Sequence, residues 1–351
     1  MAAYTTIDNP TEFFNTVLYT GNGTAIGSGG NAITGVGFQP DHVWLKCRSI
    51  THDYFMFNAV TGVKRFLSSN DTGGLASADN EYLSVFGSDG FTLGNSDGMN
   101  ENGGSFVSWN WKANGAGASN TDGSINTTKT SANTTSGCSI ITYTGNATSG
   151  ATIGHGMGIK PSMVMVKELA GGNDWIVYTK ALTATSILYL NTTGVENDNS
   201  VFFNDVEPTT SLVTLGSISA TNGNGAAMAA FCFSDVQGFS KQGGYLGNGS
   251  TNGVFNYTGF RPAWVLIKNT DATEAWFLYD NRRGVNGAMV ALFPDEEAAD
   301  GGAADNIDLL SNGFKLRSSG AILNASGAEY IYMAFAESPF VTSTGVPTTA
   351  R

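Results

Sequence analysis

A ten-residue phrase occurs three times in this chain, and the seventy residues after each copy keep the same step. The copies are Gly37–Lys46, Gly158–Lys167 and Gly259–Lys268. All read Gly, apolar, any residue, Pro, two variable residues, Val, one variable residue, Leu/Val/Ile, Lys. Counting from Pro40, Pro161 and Pro262, position +14 is aromatic in every copy (Tyr54, Trp175, Trp276), and so is +17 (Phe57, Tyr178, Tyr279). Phe91, Val213 and Phe314 come next at +51, +52 and +52. Each copy ends in an alternating apolar run closed by Trp111, Phe233 or Phe335, at +71, +72 and +73. Registration held over about seventy residues marks an internal repeat, which constrains the fold before any local signal does.

The period decides the kind of repeat. Solenoid and propeller units of roughly 20 to 50 residues cannot bury a core alone, whereas a unit of about 100 residues can. The expected layout is an N-terminal arm (1–18), repeat 1 (19–112), a linker (113–140), repeat 2 (141–236), a short join (237–244), repeat 3 (245–340) and a tail (341–351).

Charged residues make up only 13% of the chain, which holds 46 glycines, and turn formers alternate with short β-branched and aromatic runs. That pattern predicts an all-β class of antiparallel sandwiches. In repeat 1 the runs are Val43–Cys47, Tyr54–Phe57, Tyr82–Phe86, Phe91–Leu93 and Phe106–Trp111; repeat 2 adds Ile187–Leu190 and Val201–Phe203. One helix is expected over 9–18, with Asn9 as cap, Pro10 at the first helical position and Glu12 in the first turn. Its apolar side, Phe13, Phe14, Val17 and Leu18, would dock on another repeat, another subunit or a virion surface.

The strands at +14 to +17 are apolar on both faces, because successive strand side chains point to opposite sides. One face fills a sandwich core. The other requires a cover, for which loops are the simplest candidate; a neighbouring repeat, another subunit or a ligand are the alternatives. The linker holds a single Ile125 among Gly, Ala, Ser, Asn and Thr, so it is either flexible or an extended arm laid on another surface. The shorter join implies that repeats 2 and 3 are the more rigidly paired.

Chemistry is hard to find. The net charge of −12 and the lack of a basic stripe beyond Lys64-Arg65 and Arg282-Arg283 argue against nucleic acid. His42, His52 and His155 have no Cys or Glu at ligand spacing, so neither a zinc site nor a Ser-His-Asp arrangement is indicated. Asp53 and Asp174 occupy matching places, but Ala275 stands there in repeat 3, which weakens them as a glycosidase pair. Asp295-Glu296-Glu297 lacks the alternating spacing of a calcium loop. Trp44, Trp109, Trp111, Trp175, Trp264 and Trp276 lie on repeat-register strands, where packing explains them better than sugar stacking. The recurring Tyr-x-Gly-Asn at Tyr19, Tyr143 and Tyr245 reads as turns. No catalytic residue, metal ligand or cofactor is therefore expected, and no binding residue is identified. Three scattered cysteines (Cys47, Cys138, Cys232), no basic-apolar leader over Met1–Pro10 and no apolar run of spanning length point to a protein made in a reducing cytoplasm without membrane insertion.

Several segments carry a resemblance. Tyr4–Pro10 with Tyr19–Gly23, Val43–Lys46, Ser88–Gly94, Ser108–Gly115, Gly154–Gly158, Tyr257–Val265 and Tyr332–Glu337 together resemble tail-fibre and minor structural proteins from bacteriophages of marine bacteria, cyanobacterial phages included. The resemblance covers essentially the whole chain. It implies a virion component made in the host cytoplasm, with a lectin-like or jelly-roll-like sandwich fold and no catalytic residues. Its expected place is a tail fibre or tail-associated adhesin meeting a host glycan or protein. Head decoration on the capsid is the alternative, and a polysaccharide depolymerase is weaker still. Expected partners are other virion proteins and further copies of the chain, a trimer by analogy with phage fibres.

Overall fold

The computed structural model describes residues 3–348 and is all-β, built from antiparallel sheets. One strand order appears three times. A leading strand pairs with a closing strand, the closing strand with the proline strand, and that with the aromatic strand. The leading strands are Phe14–Thr20, Cys138–Thr144 and Ser240–Leu246; the closing strands are Ser105–Trp111, Ala227–Ser234 and Glu329–Pro339. The proline strands are His42–Cys47, Pro161–Glu168 and Phe260–Asn269; the aromatic strands are Tyr54–Asn58, Ile176–Thr179 and Phe277–Asp280. Against one face of each large sheet lies a smaller one: Asn31–Thr34, Gly90–Leu93 and Leu83–Gly87 in repeat 1, Thr152–Gly154 with Leu212–Thr214 in repeat 2, and Phe255–Tyr257, Gly313–Leu316 and Ile307–Leu310 in repeat 3.

The two-faced strands resolve differently from the loop-covered expectation. Val43, Leu45, Phe55 and Phe57 face the small sheet of repeat 1, while Trp44, Tyr54 and Met56 enter a core shared by all three repeats. Repeat 2 divides in the same way, with Val164, Val166, Ile176 and Tyr178 inside and Met163, Met165, Trp175 and Val177 in the shared core. In repeat 3, Val265, Ile267, Phe277 and Tyr279 lie inside, and Trp264, Leu266, Trp276 and Leu278 are shared. Period-two alternation on a pleated strand serves two cores at once. The three closing aromatics meet where the repeats converge: ring centroids are 6.1 Å apart for Trp111–Phe233, 5.5 Å for Trp111–Phe335 and 5.9 Å for Phe233–Phe335. The cover is thus the rest of the same chain.

The side-chain donors between repeats run in one rotational sense. The indole of Trp175 donates to the Ser68 carbonyl of repeat 1, and that of Trp276 donates to the Tyr189 carbonyl of repeat 2, each at 2.8 Å. The Ser69 hydroxyl of repeat 1 donates to the Pro294 carbonyl of repeat 3 at 2.8 Å and completes the cycle. Backbone bonds run round the same ring: Leu75 to Leu169, Glu196 to Thr270, and Asp300 to Arg48. Repeat 1 therefore touches both others despite its long linker. Trp276 is fully buried in the shared core, and Trp276→Ala is expected to cost about 3 to 5 kcal/mol. A chemical-denaturation midpoint equal to that of the parent would contradict this.

The expected helix over 9–18 is absent. Only Pro10–Glu12 forms a 3-10 turn, Asn9 makes no side-chain cap, and Phe14–Thr20 is a strand paired with Ser105–Trp111. Tertiary pairing overrides the local signal: Phe14 stacks on Phe335 (5.0 Å) in the shared core, and Val17 turns to the repeat 1 sandwich. What remains of the arm docks on repeat 3, where Tyr4 donates to the Gly259 carbonyl and Thr5 to that of Gln237. Because Phe14–Thr20 belongs to the sheet of repeat 1, removing residues 1–18 would damage that repeat, and the segment is not a detachable anchor. Val201–Phe203 is not a strand either. It forms turns, with Phe202 and Phe203 buried in the repeat 2 core. The linker is the extended-arm alternative: Lys129–Asn133 pairs with the leading strand of repeat 2, and Ile125 is buried beside Ile153.

Candidate functional site

The positions singled out by the repeat are structural. Pro40, Pro161 and Pro262 precede or lie in the proline strands; Tyr54, Trp175 and Trp276 are in the shared core with Trp111, Phe233 and Phe335; and Phe57, Tyr178 and Tyr279 sit in the separate sandwich cores. All six tryptophans are at most 2% exposed, so none offers a face to a sugar. Asp53 and Asp174 serve turns. Each accepts from an asparagine amide, Asn70 (2.7 Å) or Asn191 (2.8 Å), whose own oxygen accepts from the backbone N–H of Tyr54 or Trp175. In repeat 3 Asp295 accepts from the Trp276 N–H directly, which explains why Ala275 suffices there. Burial pushes the Asp295 carboxyl up to about 7; its Oδ1 is held by the Trp276 N–H at this structural turn, and its buried Oδ2 has no partner among the described residues. Among the described residues no cluster of three His, Cys, Asp or Glu could hold a metal ion.

Two recurring polar devices go beyond what the sequence led us to expect. The lysine that ends each phrase, Lys46, Lys167 and Lys268, is fully buried on its proline strand. Each ammonium donates to a carbonyl of the neighbouring repeat: Glu297 at 2.9 Å, Thr72 at 3.1 Å and Thr193 at 3.2 Å. Burial lowers all three, Lys46 and Lys268 to about 8. The second device is a buried asparagine, Asn100, Asn222 or Asn324, whose oxygen accepts from the backbone of Asn22, Asn146 or Asn248 in the Tyr-x-Gly-Asn turn. The tyrosine of that motif donates to the carbonyl just before the asparagine, at Met99, Thr221 or Leu323. The glycine between them is required by close approach. A Cβ on Gly21 would lie 2.0 Å from the Glu101 carbonyl oxygen. Both devices were visible as recurring residues, but their partners lie on distant segments.

His42 is buried between repeats 1 and 2, 5.2 Å from the Trp111 ring and 5.0 Å from Phe231, with Nδ1–H donating to the Phe57 carbonyl at 3.1 Å. Burial lowers its pKa to about 4. The unfolded chain, with a histidine near 6.5, binds more protons between those values, so this contribution is complete above about pH 6.5 and is lost as pH falls towards 4. The total is about 3 kcal/mol. His42→Met, the residue at the matching Met163, is expected to flatten the fall in stability between pH 6.5 and 4 relative to the parent. Parallel pH profiles from urea unfolding would refute the assignment.

Two open hollows lie on repeat 3. One hollow of about 420 Å³ is lined by Arg261, Arg282, Asn286, Val285 and Glu337. A second, also touching Asn286, presents Asp305, Asp308 and Arg317. Arg261 pairs with Glu337 and Arg317 with Asp308. Arg282 is exposed, and its guanidinium has no partner among the described residues. This polar depression suits hydroxyl- and carboxylate-bearing ligands, which guanidinium and amide groups recognise. It contains no nucleophile–base pair.

Neither the curated proteins nor the solved structures include a match. A single family model spans all three repeats, as a unit with one shared core should, and the match over residues 9–339 makes the chain a member of the family described as domain of unknown function (DUF7483).

Proposed function

We propose that the protein is a bacteriophage virion structural component, a tail-fibre or tail-associated knob that meets the host surface. The observation that carries this reading is the closed ring: three sandwiches spend their second apolar faces on one another, giving a self-contained body with polar loops outside. Such a body suits a particle appendage that must survive outside the cell. The resemblance of segments from Tyr4–Pro10 to Tyr332–Glu337 supports the virion setting. The Arg282 depression on repeat 3 favours attachment, with an acidic or hydroxyl-rich surface glycan as ligand. The second apolar faces, for which another subunit was one candidate cover, are covered inside one chain, so three lobes of one molecule stand in for three subunits.

Labelling purified phage particles with an antibody to the recombinant protein, with electron microscopy as readout, tests this reading. Label at the tail is expected. Label spread over the head would favour capsid decoration, and particles without label would overturn both. Incubation with host polysaccharide is expected to release no saccharide; release abolished by a single carboxylate substitution would favour the depolymerase.

A further inference from the structure

The three leading strands are equivalent in their sheets, but only one has its outer edge covered by a strand. In repeat 2, Lys129–Asn133 pairs along Cys138–Thr144, with Lys129 opposite Thr142. The Lys129 ammonium donates at 3.2 Å to the Val60 carbonyl of repeat 1, which forms the far wall of that junction. In repeat 3 the leading strand Ser240–Leu246 stands at the sheet edge. Register against the closing strand makes Gly244 the counterpart of Thr142, because Tyr143 pairs with Met228 and Tyr245 with Tyr330 in the same relation. Across the junction, Ala181 of repeat 2 stands twenty residues after its proline, as Val60 does in repeat 1. This junction has a hollow of about 340 Å³ between Ala181 and Leu182 of repeat 2 and the paired strand ends of repeat 3, Gly244 to Leu246 and Glu329 to Ile331.

We infer that this hollow accepts an extended segment of a partner protein by strand addition. The segment would run antiparallel to the Gly244–Leu246 end of that strand, with a lysine leading a run of small hydroxyl-bearing residues. Three observations fix its chemistry. Ser240 already pairs with Val236 and the Gln242 N–H donates to the Asp235 carboxylate, so the part of this edge that a further strand can pair is its Gly244–Leu246 end. The Ala181 carbonyl oxygen, at the position matching the Val60 carbonyl that receives Lys129, lies 4.0 Å from where a Gly244 Cβ would stand, and it accepts no backbone or side-chain bond among the described residues. The exposed Glu329 carboxylate, which makes no ion pair among the described residues, adds charge complementarity to the lysine. Gly244 and Ala181 are small and leave room, whereas the matching positions at the junction of repeats 1 and 3 are Leu18 and Arg282. The occupant comes from another chain because the join from Ser234 to Ser240 has no residues to spare for a covering strand, while the linker before repeat 2 has many.

The probe is a synthetic peptide copying residues 126–135, titrated into the full-length protein by calorimetry. Saturable binding is expected, weakened at least tenfold by Ala181→Trp, which fills the hollow. Glu329→Lys should weaken the same peptide and favour a version carrying Glu at the lysine position. This charge exchange decides the matter even if Ala181→Trp lowers the melting temperature. Absence of saturable binding at millimolar peptide, or binding indifferent to both substitutions, would overturn the assignment. Self-association of the protein abolished by Ala181→Trp would also overturn it, since the occupant would then be a second copy.

Discussion

A chain ending at residue 236 is expected to lose cooperative folding, although repeats 1 and 2 are intact in it. Removing repeat 3 strips Trp264, Leu266, Trp276, Leu278, Met333 and Phe335 from the shared core and exposes Trp44, Trp109, Trp111, Met165 and Phe231. Burial of a large apolar side chain is worth about 1.5 to 3 kcal/mol, so losing these six costs about 9 to 18 kcal/mol, as much as the roughly 5 to 15 kcal/mol by which a domain is ordinarily stable. The truncated protein should bind a hydrophobic dye and show a broad thermal transition in calorimetry. A sharp transition without dye binding would mean that the repeats are independently stable and that the shared core is a secondary contact.

Asp280→Ala should be the most destabilising single polar substitution. Asp280 and Arg283 are wholly buried at the junction of repeats 1 and 3, joined at 2.6 Å, and the same carboxylate accepts from the Trp109 indole at 3.0 Å. Arg283 also reaches Asp300 at 3.0 Å, which in turn holds Arg48 of repeat 1 at 2.7 Å. Its guanidinium lies 5.7 Å from the Trp109 ring. Removing one partner leaves a buried charge short of compensation, a loss of about 3 to 5 kcal/mol. The double variant Asp280→Ala, Arg283→Met removes that charge and is expected to recover much of the loss. An unchanged urea midpoint in the single variant, or no recovery in the double, would place the stability of this junction in its apolar contacts alone.

The all-β class was legible because turn chemistry and period-two alternation are local properties. The five runs in repeat 1 correspond to strands within a residue or two of their ends, as with Val43–Cys47 inside His42–Cys47. The helix expected over 9–18 gives way to the strand Phe14–Thr20 although Asn9, Pro10 and Glu12 are a sound helix start, because pairing with Ser105–Trp111 overrides the local signal. The open hollow beside Gly244 left no trace in composition. It depends on a strand present at one junction and missing at another.

Residue spacing alone establishes that one unit is used three times, that its strands alternate between two apolar faces, and that aromatic positions recur in register. Covalent geometry converts such spacing directly into sides of a strand. The partner of the second face is set by assembly: two further copies of the same unit, closed into a ring by Lys46, Lys167 and Lys268 reaching carbonyls up to 251 residues away. Burial is non-directional and roughly proportional to area, so an apolar face specifies that it must be covered, and the shape of the assembled chain specifies by what.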